Sequence, residues 1–277
     1  EKRPRQNHKP QQFIQKLHVT PPFSDRKMQI RENGDILLFS LPEPLGVAYT
    51  ARMPRTARAA VGGFCYHVLN RGNARAQVFH DDTDYRGFLE LLETAGTRVP
   101  MRVLGFCLMP NHFHLVLWPR AEGDLSRYLH WLLTAQVRRY HRRYRSSGHV
   151  WQGRFKAFPI ERDAHLLTVL RYVERNPLRA KLVRQAQNWP WSSLSTPRAG
   201  FLHESPAPRS RNWVARVNAS ETPAELASLR QSVNRSTPFG APAWVMRTAA
   251  RLGLEASLRP RGRPRKTPAA AGSGPKK

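Results

Sequence analysis

Acidic side chains are scarce in this sequence. Only 19 Asp and Glu stand against 46 Lys and Arg, a formal net charge of +27 over 277 residues. That excess goes far beyond what solubility requires and implies a polyanionic partner, nucleic acid foremost. It selects no reaction, because a structural RNA binder would carry the same charge. Cysteine is scarcer still. Cys65 and Cys107 are the only two, they form no Cys-x-x-Cys pair, and both lie in apolar strand-like runs. A disulfide framework and a cysteine-based zinc module are thereby excluded, leaving two buried thiols in a reducing compartment. No stretch of 18 apolar residues exists, which excludes a membrane-spanning helix. No long basic amphipathic helix with a wide apolar face is present either, which argues against a membrane surface as the partner. The first residues are charged and contain no apolar signal core. The expected location is cytoplasmic and nucleoid-associated.

What is present falls into three parts. Residues 1–52 have scattered prolines and little periodicity, with one possible strand at Asp35–Ser40, and read as a largely disordered upstream extension ahead of Met53. Residues 53–195 are regular. Phe64–Asn70 alternates as a strand, and Asp81 or Asp82 can cap a helix to about Ala95 with Tyr85, Phe88, Leu89 and Leu92 on one face. Arg102–Leu108 and His112–Trp118 are two further strands joined by Met109-Pro-Asn111. Asp124 is positioned to cap a long helix with Leu125, Tyr128, Leu129, Leu132 and Leu133 as its stripe. Trp151–Ile160 is strand-like, and Asp163 opens a helix that ends or breaks at Asn176-Pro177.

The order is β-α-β-β-α-β-α, an α+β class. Its first six elements match a ferredoxin-like antiparallel sheet with helices on one face. Residues 196–277 are Pro- and Ser-rich, with weak helices near 222–234 and 242–254, and read as a basic, largely irregular C-terminal region. Its end, Arg259–Lys266, centres on Gly262-Arg263-Pro264, which resembles an AT-hook for the minor groove; a nonspecific basic tail fits equally.

Two same-face pairs carry the chemistry. His112 and His114 sit two apart in a strand, so both imidazoles project from one face while Phe113 turns to the core. Alone this is weak, because 11 histidines in 277 residues give roughly 0.4 such pairs by chance. Tyr172 and Asn176 sit four apart in a helix and also share a face. Arg171, Arg175, Arg179, Lys181 and Arg184 crowd that helix and its continuation, a surround suited to a phosphodiester and to a phenolate, or simply to a solvated face. If the two faces meet, one pocket holds two imidazoles, an amide oxygen and a tyrosine hydroxyl.

Four segments in order, Tyr66-His-Val-Leu-Asn-Arg-Gly-Asn73, Met109-Pro-Asn-His-Phe-His-Leu-Val-Leu117, Trp151-Gln-Gly-Arg-Phe155 and Tyr172-Val-Glu-Arg-Asn-Pro-Leu-Arg-Ala180, resemble the REP-associated tyrosine transposases. These are IS200/IS605-like Y1 transposases within the HUH single-strand endonucleases. The resemblance spans about residues 53–195, with Trp189-Pro-Trp-Ser-Ser193 and the basic end also typical. It implies that His112 and His114 bind a metal, that Asn176 is a third ligand and that Tyr172 is the nucleophile. The implied ion is Mg²⁺ or Mn²⁺, and mixed N/O ligation suits Mn²⁺ better. The implied substrate is single-stranded DNA folded as a hairpin, acted on by a monomer or homodimer.

Arg71, Asn73, Arg154 and Lys156 are the candidate DNA contacts near the site, with Arg138 and Arg142 on the long helix, Arg175, and Arg263 in the tail. Arg139 and Arg143 share the basic run. Trp151 and Phe155 could stack on a base or serve the core. A noncatalytic nucleic-acid binder is the alternative reading, but would not need His112, His114 and Tyr172 together. A zinc hydrolase would need a carboxylate as third ligand, and no acidic residue holds an equally good position.

Overall fold

The computed structural model describes residues 60–197 and 199–259, together with the backbone of 29–30 and 36–37. The chain divides into two compact units, Glu1–Met53 and Pro54–Lys277. In the first unit β1 (Gln29–Ile30) pairs antiparallel with β2 (Ile36–Leu37), inside the stretch read as a possible strand. The remainder of the supposed extension, and the AT-hook-like end with Arg263, lie outside the described residues.

The second unit is built on four strands: β3 (Cys65–Arg71), β4 (Met101–Met109), β5 (His112–Pro119) and β6 (Lys156–Ile160). They form an antiparallel sheet in the order β4-β5-β3-β6. With crossover helices α1 (Asp82–Arg98) and α2 (Asp124–Tyr144), this is the β-α-β-β-α-β arrangement expected of a ferredoxin-like sheet. The alternation in each strand separates two cores. Tyr66, Val68, Phe113, Leu115 and Leu117 face α1 and α2, packing on Phe88, Leu92, Tyr128 and Leu132. Cys65, Cys107, Val116 and Phe158 face the other way. Tyr128 ties the two crossover helices together by donating its hydroxyl to the Leu92 carbonyl at 2.8 Å.

Helices lie on one face only as far as these crossovers go. The opposite face is covered by α3 (Ala164–Glu174) and by the C-terminal region, through Trp213, Val217, Leu229 and Phe239. That region is more regular than its Pro- and Ser-rich composition suggests. It contains α5 (Trp213–Asn218), α6 (Pro223–Arg235), α7 (Pro242–Leu252) and α8 (Glu255–Leu258), with Pro at the first turn of α6 and α7, where no N–H is needed. Apolar residues spaced through the segment complete a core that α3 alone cannot close.

Local signals behave largely as read. Asp81 caps α1 by accepting from the Thr83 and Asp84 amides, and Asp163 caps α3 by accepting from the His165 amide. Asp124 does not cap α2. Gly123, at φ +79°, is the cap, and the Asp124 carboxylate reaches back to the Ala121 amide at 2.8 Å. The strand-like run from Trp151 pairs as a strand only from Lys156. Trp151 and Phe155 are buried, and Trp151 packs edge-on against Phe113, so both belong to the core.

Glu174, at the end of α3, fastens the C-terminal region to this helix. It is 0% exposed, and its carboxylate accepts from Ser193 Oγ at 2.7 Å, Arg209 at 2.9 Å and Trp213 Nε1 at 2.7 Å. Removing one partner of such a network strands the others without hydrogen bonds. Glu174→Ala is therefore expected to lower the unfolding free energy by about 3–5 kcal/mol in urea titrations, with Glu174→Gln retaining part of it. A loss under about 1 kcal/mol would show the carboxylate to be dispensable.

Candidate active site

Register places the histidines. In the β3–β5 ladder, His112 lies opposite Arg71, His114 opposite Leu69 and Val116 opposite His67. Opposed residues share a face, so Arg71, His67, His112 and His114 all project toward α3. His67 and His114 are diagonal neighbours, within reach for long or aromatic side chains. Their rings stack at 5.0 Å, and His67 Nε2 lies 2.9 Å from His114 Nδ1, a hydrogen bond whose direction depends on tautomer. The His112 and His114 rings meet edge to face at 5.0 Å, and His112 Nδ1 lies 2.6 Å from Asn111 Oδ1.

Helix α3 supplies the other half. Gly105 in β4 lets it approach, since a Cβ there would meet Leu170 at 2.7 Å. Tyr172 comes down over the histidines, its ring edge-on to His114 at 5.9 Å and to His67 at 6.2 Å. The helix breaks after Glu174, and α4 (Asn176–Arg179) resumes with Pro177 in its first turn. The Arg175 amide still donates to the Arg171 carbonyl, so Tyr172 and Asn176 keep a helical relation across the junction. Both side chains are buried. The structure thus brings His112, His114 and Tyr172 into one cluster, with Asn176 one turn beyond Tyr172.

Two further residues complete the cluster. His67 is one; it was part of a matching segment but read only as strand. Arg179 is the other. Its guanidinium lies 4.3 Å above the Tyr172 ring, donates to Asn176 Oδ1 at 3.5 Å, and is held by Glu221 at 2.6 Å. Only the alternation of β3, with His67 on the face of Cys65 and Leu69, hinted at the first; the second belongs to the basic run that the sequence sets around Tyr172.

Burial sets the electrostatics. It pushes His67 down to about 3 and, helped by the Arg71 charge, His112 down to about 4. His114 is lowered well below the usual imidazole value by burial and by its charged and imidazole neighbours. All three rings are neutral near pH 7, the form that ligates metal. Burial raises the Tyr172 phenol, and Arg179 works against that rise.

The donor set fits a divalent cation. His112 and His114 both have Nδ1 engaged, which leaves Nε2 as the ligand atom on each ring. Asn176 has a buried Nδ2 with no hydrogen-bond partner and an Oδ1 held only at the limit of hydrogen bonding. A second group, Glu161, Asp163 and His165, lies close enough to share an ion. Its carboxylates already have internal work: Asp163 caps α3, and Glu161 accepts from the Ala241 amide at 2.7 Å.

The expected DNA contacts separate. Arg71, Arg154 and Lys156 line one recess of about 180 Å³ beside Asn70 and Gly153, at the His112 end of β3. The Asn70 amide donates to the Gly153 carbonyl at 3.2 Å and holds that loop. Arg71 Nε is buried without a hydrogen-bond partner among the described residues. Asn73, Arg138 and Arg142 are exposed to solvent. Arg139 and Arg143 are not free: they pair with Glu90 and with Asp81 and Asp84, joining α2 to the start and middle of α1.

Arg175 corrects the expectation of a DNA contact. Its guanidinium donates to the Val217 and Asn218 carbonyls and pairs with Glu221 at 3.4 Å. Arg171 likewise donates to the Ala219 and Ser220 carbonyls. These arginines anchor the end of α5 and the residues after it, where the last helical carbonyls have no intrahelical donor.

Residues 60–176 match the family described as transposase IS200 like. A candidate REP-associated tyrosine transposase of Haemophilus influenzae is 28% identical over 124 residues, covering 40% of this chain and 70% of that protein. The REP-associated tyrosine transposase of Escherichia coli K12 is 23% identical over 133 residues, covering 48% of this chain and 77% of its own. The solved structure of a REP-associated tyrosine transposase bound to a REP hairpin aligns over 60% of this chain and 90% of that one, at 18% identity and a TM-score of 0.45. The matched span includes every residue of the His-Tyr cluster except Arg179, and over residues 60–176 this chain is similar to the IS200-like transposases.

Proposed function

We propose that this protein is a REP-associated tyrosine transposase that cleaves and rejoins single-stranded hairpin DNA through a covalent link to Tyr172. The observation that carries this reading is the convergence of Tyr172 with His112 and His114, brought from separate elements into one buried cluster. A protein that merely held nucleic acid would need the basic recess, but would have no use for a phenol against two neutral imidazoles.

The Tyr172 hydroxyl attacks the scissile phosphorus, and the bond from phosphorus to the 3′ oxygen breaks. The products are a 5′-phosphotyrosine and a free 3′-hydroxyl, which receives the proton that the phenol loses. One phosphodiester replaces another, so attack by a 3′-hydroxyl in reverse rejoins strands without ATP. Arg179 favours the phenolate over the neutral phenol as the bond forms. Arg71, Arg154 and Lys156 hold the strand by its phosphates. His112, His114 and Asn176 would hold Mg²⁺ or Mn²⁺, which supplies Lewis-acid polarisation of the phosphate. The zinc hydrolase alternative loses its ground, since the nearest acidic groups are occupied: Glu174 by the C-terminal anchor and Glu221 by Arg175 and Arg179.

Incubation with end-labelled hairpin DNA and Mn²⁺ should yield an SDS-resistant adduct that is lost in Tyr172→Phe and with chelator. An unchanged adduct in Tyr172→Phe would remove the nucleophile assignment, and cleavage without an adduct would point to water. The rate of adduct formation should rise with pH through the neutral and mildly alkaline range, because the raised phenol must lose its proton. Arg179→Met removes the largest of the arginine charges that oppose the rise, so its profile should move to higher pH, whereas Arg179→Lys should recover part of the shift. For binding, Arg154→Ala and Lys156→Ala should each reduce the salt slope of hairpin affinity by about one. Arg175→Ala should lower stability and leave that slope unchanged.

A further inference from the structure

The tautomers of the histidine cluster are coupled. His112 Nδ1 lies 2.6 Å from Asn111 Oδ1, an acceptor without a proton, so Nδ1 carries the hydrogen and Nε2 keeps its lone pair. His114 has no such oxygen. Its Nδ1 faces His67 Nε2 at 2.9 Å, and either nitrogen can be the donor. If His67 Nε2–H donates, the His114 proton sits on Nε2 and that ring has no lone pair to offer there. If His114 Nδ1–H donates, His67 accepts with Nε2, and His114 Nε2 becomes a ligand atom equivalent to that of His112. His67 is 0% exposed, and its Nδ1 has no hydrogen-bond partner among the described residues, so within them His114 is the group that decides where the His67 proton lies. Metal-bound histidines commonly owe their orientation and basicity to such a partner on the other ring nitrogen, most often a carboxylate or carbonyl.

We propose that His67 is a positioning residue for the metal site: its Nε2 accepts from His114 Nδ1–H, and this fixes His114 in the tautomer that presents Nε2 to the cation. The inference rests on His112 and His114 being ligands. It goes further in assigning the partner role to a third histidine, on the neighbouring strand and 47 residues away. A neutral imidazole is a weaker acceptor than a carboxylate, so it orients His114 without adding charge to a site that must also admit a phosphate. The cost is a buried His67 Nδ1–H without an acceptor among the described residues.

Three variants and one spectroscopic measurement on the full chain test this. Mn²⁺ affinity is read by electron paramagnetic resonance in the absence of DNA, with folding checked by circular dichroism. His67→Phe keeps an aromatic ring between His114 and Phe158 but has no acceptor, and should bind Mn²⁺ about 10- to 100-fold more weakly. His67→Gln can place an amide oxygen near the same position and should recover most of the affinity. His114→Ala is the control for the site itself: if it binds Mn²⁺ like the parent, the ligand assignment fails, and the role of His67 with it. If His114→Ala weakens binding while His67→Phe does not, the site stands and only the present inference falls. In the parent protein, ¹⁵N imidazole spectra with Mg²⁺ should show protons on Nδ1 of both His67 and His114. A proton on His67 Nε2 in the Mg²⁺-loaded protein would overturn the proposal, whatever the variants do.

Discussion

The register of β3 on β5 is the constraint from which the site follows. Three imidazoles and Arg71 reach one face only because His112 lies opposite Arg71 and His114 opposite Leu69. A shift of one residue would send Phe113 to the α3 side and both histidines into the core beneath α1 and α2. Register is held by the cost of such a shift. Phe113 is fully buried against Phe88 and Trp151, and burying an imidazole there would leave its nitrogens without partners. The apolar face of the sheet thus fixes the polar one.

The basic charge is used in two opposed ways. Arg171, Arg175, Arg179 and Arg209 turn inward and spend their donors on backbone carbonyls and on Glu174, Glu221 and Glu225. They secure the C-terminal helices over α3 and so enclose Tyr172. Arg71, Arg154 and Lys156 gather at a recess near His112, and Arg138 and Arg142 stay in solvent. With few acidic residues in the chain, those used inside are not available to neutralise the outer charge, and the surface remains suited to a phosphate backbone.

Much of the fold was legible in the sequence. The alternation of Phe64–Asn70 and His112–Trp118, and the caps at Asp81 and Asp163, reflect local physics that tertiary context did not override. Trp151–Phe155 misled because two buried aromatics, Trp151 and Phe155, four residues apart look the same in a strand and in a packed loop. The C-terminal helices were half visible: their apolar residues are sparse, and their burial depends on a partner surface, the far face of the sheet, that no local pattern displays. At the site, the two same-face pairs could be read from periods of two and four. Their meeting could not, nor could the parts played by His67 and Glu221.

By itself the sequence determined the elements, their order, the sign of the partner's charge and which side chains share a face, because each depends on composition or on contacts within a turn or a strand. The tertiary structure decided which faces meet. It turned Arg175 from a surface cation into an internal anchor, made α3 the lid of the histidine face, and paired His67 with His114 across 47 residues. The physical reason is that strand register and the approach of α3 at Gly105 are set by packing of the whole core, and a hydrogen bond between distant residues exists only once that packing is complete.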